Sequence, residues 1–153
     1  MPTHPDAVQK PLVLSGEFRL AVDPKKRVTI PARWRASGLE DVYIIKSLTR
    51  GCLVAMTLEV LHDMGEKAGS QATTVEDHQA FKDQFFASAL NCPVDSQGRM
   101  VLPEELCKFA GIEKEAVLTG SGQKFDIWNP SAWQQRQAAV AATYTTILKG
   151  LGL

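Results

Sequence analysis

The stretch Asp23-Pro-Lys-Lys-Arg27-Val-Thr-Ile-Pro31 decides the fold, because it returns later in the chain as Asp95-Ser-Gln-Gly-Arg99-Met-Val-Leu-Pro103. The aspartate, the arginine and the final proline coincide at an offset of 72 residues. The register is kept further on, where residues 53–61 align with residues 125–133 at the same offset after one compensated gap. A shared period of this kind indicates a duplicated structural unit.

Each copy has the pattern of a β-hairpin. Large apolar residues recur at every second position from residue 18 to residue 22, which is the period of a strand. Asp23 and Pro24 then suit the first two positions of a type I turn, and the β-branched residues after Arg27 predict a second strand. Pro31 and Pro103 end these strands and favour the start of a short helix, because proline cannot donate to a ladder.

A second strand pair is predicted in each copy, residues 42–46 with 52–56 and residues 116–119 with 125–128. The sequence therefore predicts an α+β fold, a tandem repeat of two hairpin-rich units with linking and C-terminal helices. The expected boundaries are a flexible arm at 1–14, units at 15–60 and 87–133, linking helices at 61–86 and a last helix at 134–153. Units of about 40 residues bury too little alone, so we expect them to pack together.

Three helices are predicted outside the repeated strands, with Thr57, Thr74 and Asn129 as their caps. The spacing of their apolar residues predicts one buried stripe on each helix. We expect these stripes to form core or subunit contacts, and they comprise Leu58, Leu61 and Met64, then Phe81, Phe85 and Ala89, then Trp133, Val140, Tyr144 and Ile147.

Composition favours a cytoplasmic protein. No apolar run reaches the roughly 20 residues that span a bilayer, and the amino terminus lacks the pattern of a signal peptide. The three cysteines and three histidines are scattered and form no CxxC or comparable cluster, so we expect neither a disulfide framework nor a metal site.

The residues that recur are not catalytic types, so we expect no enzyme, cofactor or small-molecule substrate. The repeats supply no nucleophile with a base, and no phosphate-binding glycine loop follows a strand. Asp23 and Asp95 could be imagined as an acid–base pair. An aspartate at the first position of a turn usually accepts backbone N–H bonds instead, and we adopt that interpretation.

Each predicted hairpin presents an arginine directly after its turn, within a basic region. Residues 15–50 carry eight basic and four acidic side chains, although the net charge of the chain is zero. Arginine can bond guanine O6 and N7 together, while lysines such as Lys25 and Lys26 would meet phosphates. The alternative is that Asp23–Arg27 and Asp95–Arg99 only stabilise their turns as ion pairs. The pattern alone leaves both interpretations open.

The ordered combination of motifs resembles the MraZ family, whose fold comprises two SpoVT/AbrB-type units of the swapped-hairpin kind. Besides the two Asp-x-x-x-Arg turns, the likeness covers most of residues 15–133. It rests on Gly16-Glu-Phe-Arg-Leu20, Arg50-Gly-Cys-Leu-Val54, Leu102-Pro-Glu-Glu-Leu106, Ala110-Gly-Ile112, Val117-Leu-Thr-Gly-Ser-Gly122 and Phe125-Asp-Ile-Trp128-Asn-Pro130. Lys26 departs from the pattern, since the family usually has glycine there, as at Gly98.

The resemblance implies a nucleoid-associated transcription factor that forms ring-like homo-oligomers, binds repeated G-rich promoter boxes and represses its own division and cell-wall operon. Arg27 and Arg99 would read bases, and we weight Arg27 more heavily because Ser96-Gln97-Gly98 offers no lysine. The alternatives are an oligomeric, antitoxin-like protein-binding module and, more remotely, a small hydrolase or transferase. The expected DNA-binding residues are Asp23, Lys25, Lys26, Arg27, Arg33, Arg35, Asp95 and Arg99.

Overall fold

The α+β prediction is confirmed by a computed structural model, which describes residues 13–153. The eight strands are β1 (Glu17–Ala21), β2 (Arg27–Thr29), β3 (Asp41–Lys46), β4 (Leu53–Met56), β5 (Leu90–Pro93), β6 (Arg99–Val101), β7 (Glu115–Gly120) and β8 (Phe125–Trp128). The five α-helices are α1 (Ala32–Ala36), α2 (Leu58–Lys67), α3 (Val75–Ser88), α4 (Glu104–Ala110) and α5 (Pro130–Gly150), and a 3-10 turn (Ala68–Ser70) links α2 to α3.

The two copies of the repeat share one antiparallel sheet of six strands, in the order β1-β7-β8-β4-β3-β5. The predicted pairs β3–β4 and β7–β8 are confirmed. The outer strands are exchanged, because β1 of the first copy pairs with β7 of the second and β5 of the second pairs with β3 of the first. Each copy therefore completes the sheet of the other.

The hairpin prediction is correct for the turns, and the second copy keeps one antiparallel hairpin bridge, Val94 with Met100, but the main partner of each following strand lies in the other copy. The turn closes where Asp23 N–H donates to the Arg27 carbonyl at 3.1 Å, but β2 then pairs with β6 of the other copy and not with β1. The strand pattern correctly indicates extended chain, and it carries no information on which strand is the partner.

A pseudo-two-fold axis relates the two copies. In the ladder of β2 and β6, Val28 lies opposite Met100, and these are equivalent positions of the repeat. In the large sheet, Val54 lies opposite Asp126, which are again equivalent positions. Because the axis passes through both pairs, the turns that precede β2 and β6 occupy opposite ends of one short ladder.

The main core lies between the large sheet, the short ladder and the two short helices. Trp34 of α1 is 1% exposed and packs between Phe18 and Phe125, with ring centroids 5.3 and 5.0 Å away. Its indole N–H donates to the Ser15 carbonyl at 2.9 Å. A buried aromatic with its polar atom satisfied in this way contributes several kcal/mol, and here it fixes α1 against the sheet.

The predicted caps are confirmed, since Thr57, Thr74 and Asn129 each accept a backbone N–H at the start of α2, α3 and α5. The predicted stripes are only partly buried. Leu61 is buried, whereas Leu58 is 56% exposed on the same helix.

The last helix, α5, is anchored near its start. Trp133 packs against Trp128 and donates its indole N–H to Glu17 at 2.6 Å. Further along the helix, Tyr144 and Ile147 are exposed. In this chain they therefore do not form the core contact that was one of the two expectations for them.

The predicted arm at residues 1–14 lies outside the described residues except for Val13 and Leu14. Leu14 is buried, and it forms an antiparallel bridge with Gly122. A Cβ atom at Gly120 would lie 2.5 Å from the Leu14 carbonyl group, so glycine permits this close approach. None of the described helices is both long and apolar enough to cross a membrane.

Candidate nucleic-acid interface

The first turn is organised by the carboxylate of Asp23. Its Oδ1 accepts the backbone N–H groups of Lys25 and Arg27 at 2.9 and 2.8 Å, and its Oδ2 accepts Nε–H of Arg27 at 2.6 Å. The Lys26 N–H donates to the Asp23 carbonyl at 2.9 Å. The backbone bond from Arg27 is the main cause that lowers the pKa of the Asp23 carboxyl below its ordinary value.

The second turn repeats this geometry. Asp95 Oδ1 accepts the N–H groups of Gln97 and Arg99, both at 2.9 Å, and its Oδ2 accepts Nε–H of Arg99 at 3.1 Å. The Gly98 N–H donates to the Asp95 carbonyl at 2.9 Å. The pKa of the Asp95 carboxyl is likewise lowered, chiefly by the backbone bond from Arg99. The interpretation of both aspartates as acceptors for the turn therefore agrees with the geometry.

The fourth position of both turns has left-handed backbone. Gly98 has a φ of 80° and Lys26 a φ of 62°. A non-glycine residue is strained there because its Cβ approaches the following carbonyl oxygen. Lys26 therefore adopts the conformation of the glycine it replaces, and the first turn keeps the shape of the second.

Both arginines lie on the solvent side of the short ladder. Val28 and Met100 point into the core, with 1% and 0% exposure. Because side chains alternate along a strand, the neighbouring positions point the opposite way. The outward face therefore carries Arg27 opposite Val101 and Arg99 opposite Thr29, with the two arginines in a diagonal relation.

The guanidinium groups keep most of their donors available. Among residues 13–153, the side-chain hydrogen bonds of Arg27 and Arg99 run through Nε to the aspartates. The two Nη atoms of each guanidinium donate no side-chain hydrogen bond within this part of the chain. The side chains of Arg27 and Arg99 are 27% and 32% exposed. Each arginine is thus oriented by one nitrogen, and its other two nitrogens make no side-chain hydrogen bond within residues 13–153.

The remaining predicted residues divide between two places. Lys25 is exposed beside the first turn, and Arg33 is exposed on α1, where it approaches Gly16. Arg35 lies against the second turn instead, because a Cβ built at Gly98 would be 2.4 Å from its Cζ and Nε. The structure therefore brings a basic side chain to the turn that lacks lysines in its own sequence.

Sequence reasoning missed one ion pair that joins the two copies. Arg50 donates Nη1 to Asp126 Oδ2 at 2.7 Å and Nη2 to Oδ1 at 3.3 Å, and its Cζ lies 5.7 Å from the Trp128 ring centroid. Asp126 is buried at the position equivalent to Val54. The available signal was this contrast, since a carboxylate on an apolar strand needs a cation nearby.

The cysteines offer no reactive group. Cys52, Cys92 and Cys107 are free and buried, and burial is the main cause that raises the pKa of each thiol, to about 11 for Cys52 and Cys92. Thiols of this kind are poor nucleophiles at neutral pH. No group of three or more acidic, histidine or cysteine side chains suited to a metal ion occurs within residues 13–153.

The fold and this site define a class, a duplicated α+β protein that presents two matched aspartate–arginine turns on one short ladder. Residues 85–147 match the family model described as "MraZ protein, putative antitoxin-like". Transcriptional regulator MraZ of Pelotomaculum thermopropionicum is 36% identical over 132 residues, which are 86% of this chain and 90% of that protein. The protein of the same name from Heliobacterium modesticaldum is 34% identical over 89% of this chain and 94% of its own length. The chain therefore belongs to the MraZ family, as its motifs indicate.

Proposed function

We propose that this protein is a sequence-specific regulator of transcription that binds double-stranded DNA through the outward face of the β2–β6 ladder. The observation that carries the proposal is the pair of arginines on that face, each oriented through Nε by an aspartate while its Nη atoms make no side-chain hydrogen bond among the described residues. The curated relatives are named transcriptional regulators, which supports the same assignment.

The geometry suits direct readout of bases. A two-stranded ribbon fits the major groove, and the planar guanidinium can bond guanine O6 and N7 together. Because the aspartates already fix the arginine side chains, little conformational entropy is lost on binding. A bidentate contact of this kind discriminates against the wrong base by about 1–3 kcal/mol.

The surrounding cations would contact phosphates and set the register of the protein on the duplex. Lys25 and Lys26 serve this role at the first turn, and Arg33 and Arg35 add positive charge from α1. The pseudo-two-fold axis places the two turns at opposite ends of one ladder. The repeat units at 15–60 and 87–133 therefore jointly build one recognition surface.

Several protomers are needed for tight binding, because residues 15–50 carry only a modest excess of basic side chains. Strongly salt-dependent binders make about 6–10 phosphate contacts. A ring-like homo-oligomer that meets repeated G-rich promoter boxes supplies them through avidity. In this proposal the protein acts in the cytoplasm on the nucleoid and represses its own division and cell-wall gene cluster.

The first experiment is fluorescence anisotropy with duplex DNA from upstream of the protein's own gene and a shuffled duplex, over a salt series. We expect preference for the native duplex and a steep salt slope. Arg27→Ala and Arg99→Ala should each lose about ten- to a hundredfold of that preference, as expected for one bidentate contact. The control is Arg136→Ala on exposed α5, which should behave like the wild type.

Equal binding of the wild type to native and shuffled DNA would refute the proposal. It would favour the second candidate, an oligomeric and antitoxin-like module that binds protein. The observation in favour of that candidate is a group of exposed apolar side chains at the end of α5 and directly after it, Tyr144, Ile147 and Leu151. In that case removal of these three side chains, and not of the two arginines, would abolish binding of the partner.

A further inference from the structure

The two turns obtain their supporting cation from different elements. Helices α1 and α4 begin after equivalent prolines, so Arg35 of α1 and Cys107 of α4 are equivalent positions of the repeat. Lys26 and Gly98 are also equivalent. In each pair of positions, one copy has a long basic residue where the other has a small neutral one.

At the second turn the basic residue is Arg35. Its Nε donates to the Ile30 carbonyl at 3.3 Å, and the Ile30 N–H donates to the Gly98 carbonyl at 2.8 Å. The guanidinium covers Gly98, which is buried although both neighbouring side chains reach solvent. A Cβ at Gly98 would overlap the end of the Arg35 side chain, which would then have to move, and the φ of 80° independently favours glycine there.

The first turn has equivalent contacts, with Lys26 at the position of Gly98 and Cys107 at the position of Arg35. The Leu102 N–H donates to the Lys26 carbonyl at 2.8 Å, and Cys107 Sγ contacts the Leu102 carbonyl at 3.8 Å, as Arg35 contacts Ile30. Cys107 is buried, and it lines one surface depression together with Lys26. Lys26 and Cys107 thus border one depression, as Arg35 and Gly98 contact each other at the second turn.

We propose that Arg35 is the phosphate-contacting cation of the second turn and holds the place that Lys26 holds at the first. This inference rests on the proposed DNA-binding function and deepens it. Each turn then has one base-reading arginine and one adjacent phosphate contact. Because Arg35 belongs to the first copy and Gly98 to the second, the second contact surface is assembled from both copies.

The test uses the full chain, with anisotropy on the upstream duplex across a salt series. Arg35→Gln keeps a polar side chain, shorter than that of arginine, and removes its charge, while Arg35→Lys keeps the charge. We expect Arg35→Gln to weaken binding several-fold and to reduce the salt slope by about 0.9 for each protomer on the DNA, with Arg35→Lys close to wild type. Arg136→Gln is the matched control on α5.

A double variant transplants the arrangement of the first turn onto the second. Arg35→Cys with Gly98→Lys should restore the salt slope that Arg35→Cys alone loses, because lysine returns the cation on the other element. Thermal unfolding of every variant reports on folding independently of DNA.

The possible outcomes distinguish the role of Arg35 from the proposed DNA-binding function on which it rests. Wild-type protein without any preference for the upstream duplex would overturn both. Specific binding by the wild type, together with an unchanged salt slope in Arg35→Gln, would overturn the role of Arg35 alone. Equal losses in Arg35→Gln and Arg35→Lys, with lowered melting temperatures, would also overturn it and assign Arg35 to support of the turn.

Discussion

The protein contains aspartate–arginine pairs in two environments, and they use different nitrogens. In the turns, Arg27 and Arg99 bind their aspartates through Nε and are separated from them by only four residues. In the large sheet, Arg50 binds Asp126 through both Nη atoms, across 76 residues of sequence. The turn pairs leave the fork of the guanidinium free for a ligand, whereas the sheet pair consumes it. The same type of ion pair therefore orients an arginine for a ligand in the turns and holds the two copies together in the large sheet.

Burial explains the difference. Asp126 has a side chain only 6% exposed and Arg50 one 29% exposed, and the pair lies beside the pseudo-two-fold axis. Removal of one partner leaves a buried charge without compensation. The arginines are about equally exposed in all three pairs, but the turn aspartates are 31% and 42% exposed, so water can replace a lost partner of these carboxylates. The sheet pair should govern stability, and the turn pairs should govern binding.

The largest expected effect is on the free energy of unfolding of Arg50→Met. We expect a loss of about 3 kcal/mol, because the Asp126 carboxylate loses its only strong partner among the described residues. Arg27→Met should lose far less. Chemical denaturation of the two variants measures the contrast.

The double variant Arg50→Met with Asp126→Leu is the control for this comparison. It removes both charges, so it should recover much of the stability lost in Arg50→Met. Equal destabilisation by Arg50→Met and Arg27→Met would show that the assignment of cohesion to the sheet pair is wrong.

The sequence predicted only those parts of the site that depend on residues close together in the chain. The turns, their aspartate acceptors and the caps at Thr57, Thr74 and Asn129 depend on residues within four positions of each other, and all have the expected bonds. A turn signal specifies backbone shape and side-chain reach locally. The prediction that each motif forms a hairpin by itself did not hold for β2, because packing of the whole fold determines which strands pair.

Two contacts, one in the site and one in the large sheet, lay beyond local patterns. Arg35 belongs to the first copy by sequence and was predicted to act beside Arg27, but the pairing of β2 with β6 brings it to Gly98. The Arg50–Asp126 pair joins motifs that were each noticed separately. Comparison of the two copies contained a clue to both, because positions where one copy is charged and the other neutral need a partner from elsewhere.

An intermediate effect on the turn side is expected from Lys26→Gly. Glycine relieves the backbone strain at a φ of 62°, but it also raises the conformational entropy of the unfolded chain, which opposes folding. We therefore expect a net gain of about 0.5–1 kcal/mol in the free energy of unfolding. The same variant should reduce the salt slope of DNA binding by about 0.9 per protomer. Denaturation and the anisotropy series measure the two changes.

Lys25→Gly is the matched control for Lys26→Gly, because Lys25 is not among the residues with positive φ in the described chain. It should give no gain in stability. A gain from Lys25→Gly equal to that from Lys26→Gly would mean that backbone strain is not the cause.

The smallest expected effect is the acid sensitivity of the turns. The pKa values of Asp23 and Asp95 are lowered in the folded chain, chiefly by the backbone N–H groups of Arg27 and Arg99. Their stabilisation is therefore fully present above the ordinary carboxyl pKa of about 3.9, and it is lost as the pH falls through the lowered values. Asp95→Asn should flatten the decline in stability below pH 4, because its amide cannot titrate. Carboxyl NMR titration measures the two pKa values directly. Ordinary values for Asp23 and Asp95 in the folded protein would mean that the turns do not hold their carboxylates as described, and the distinction between turn pairs and sheet pair would then rest on burial alone.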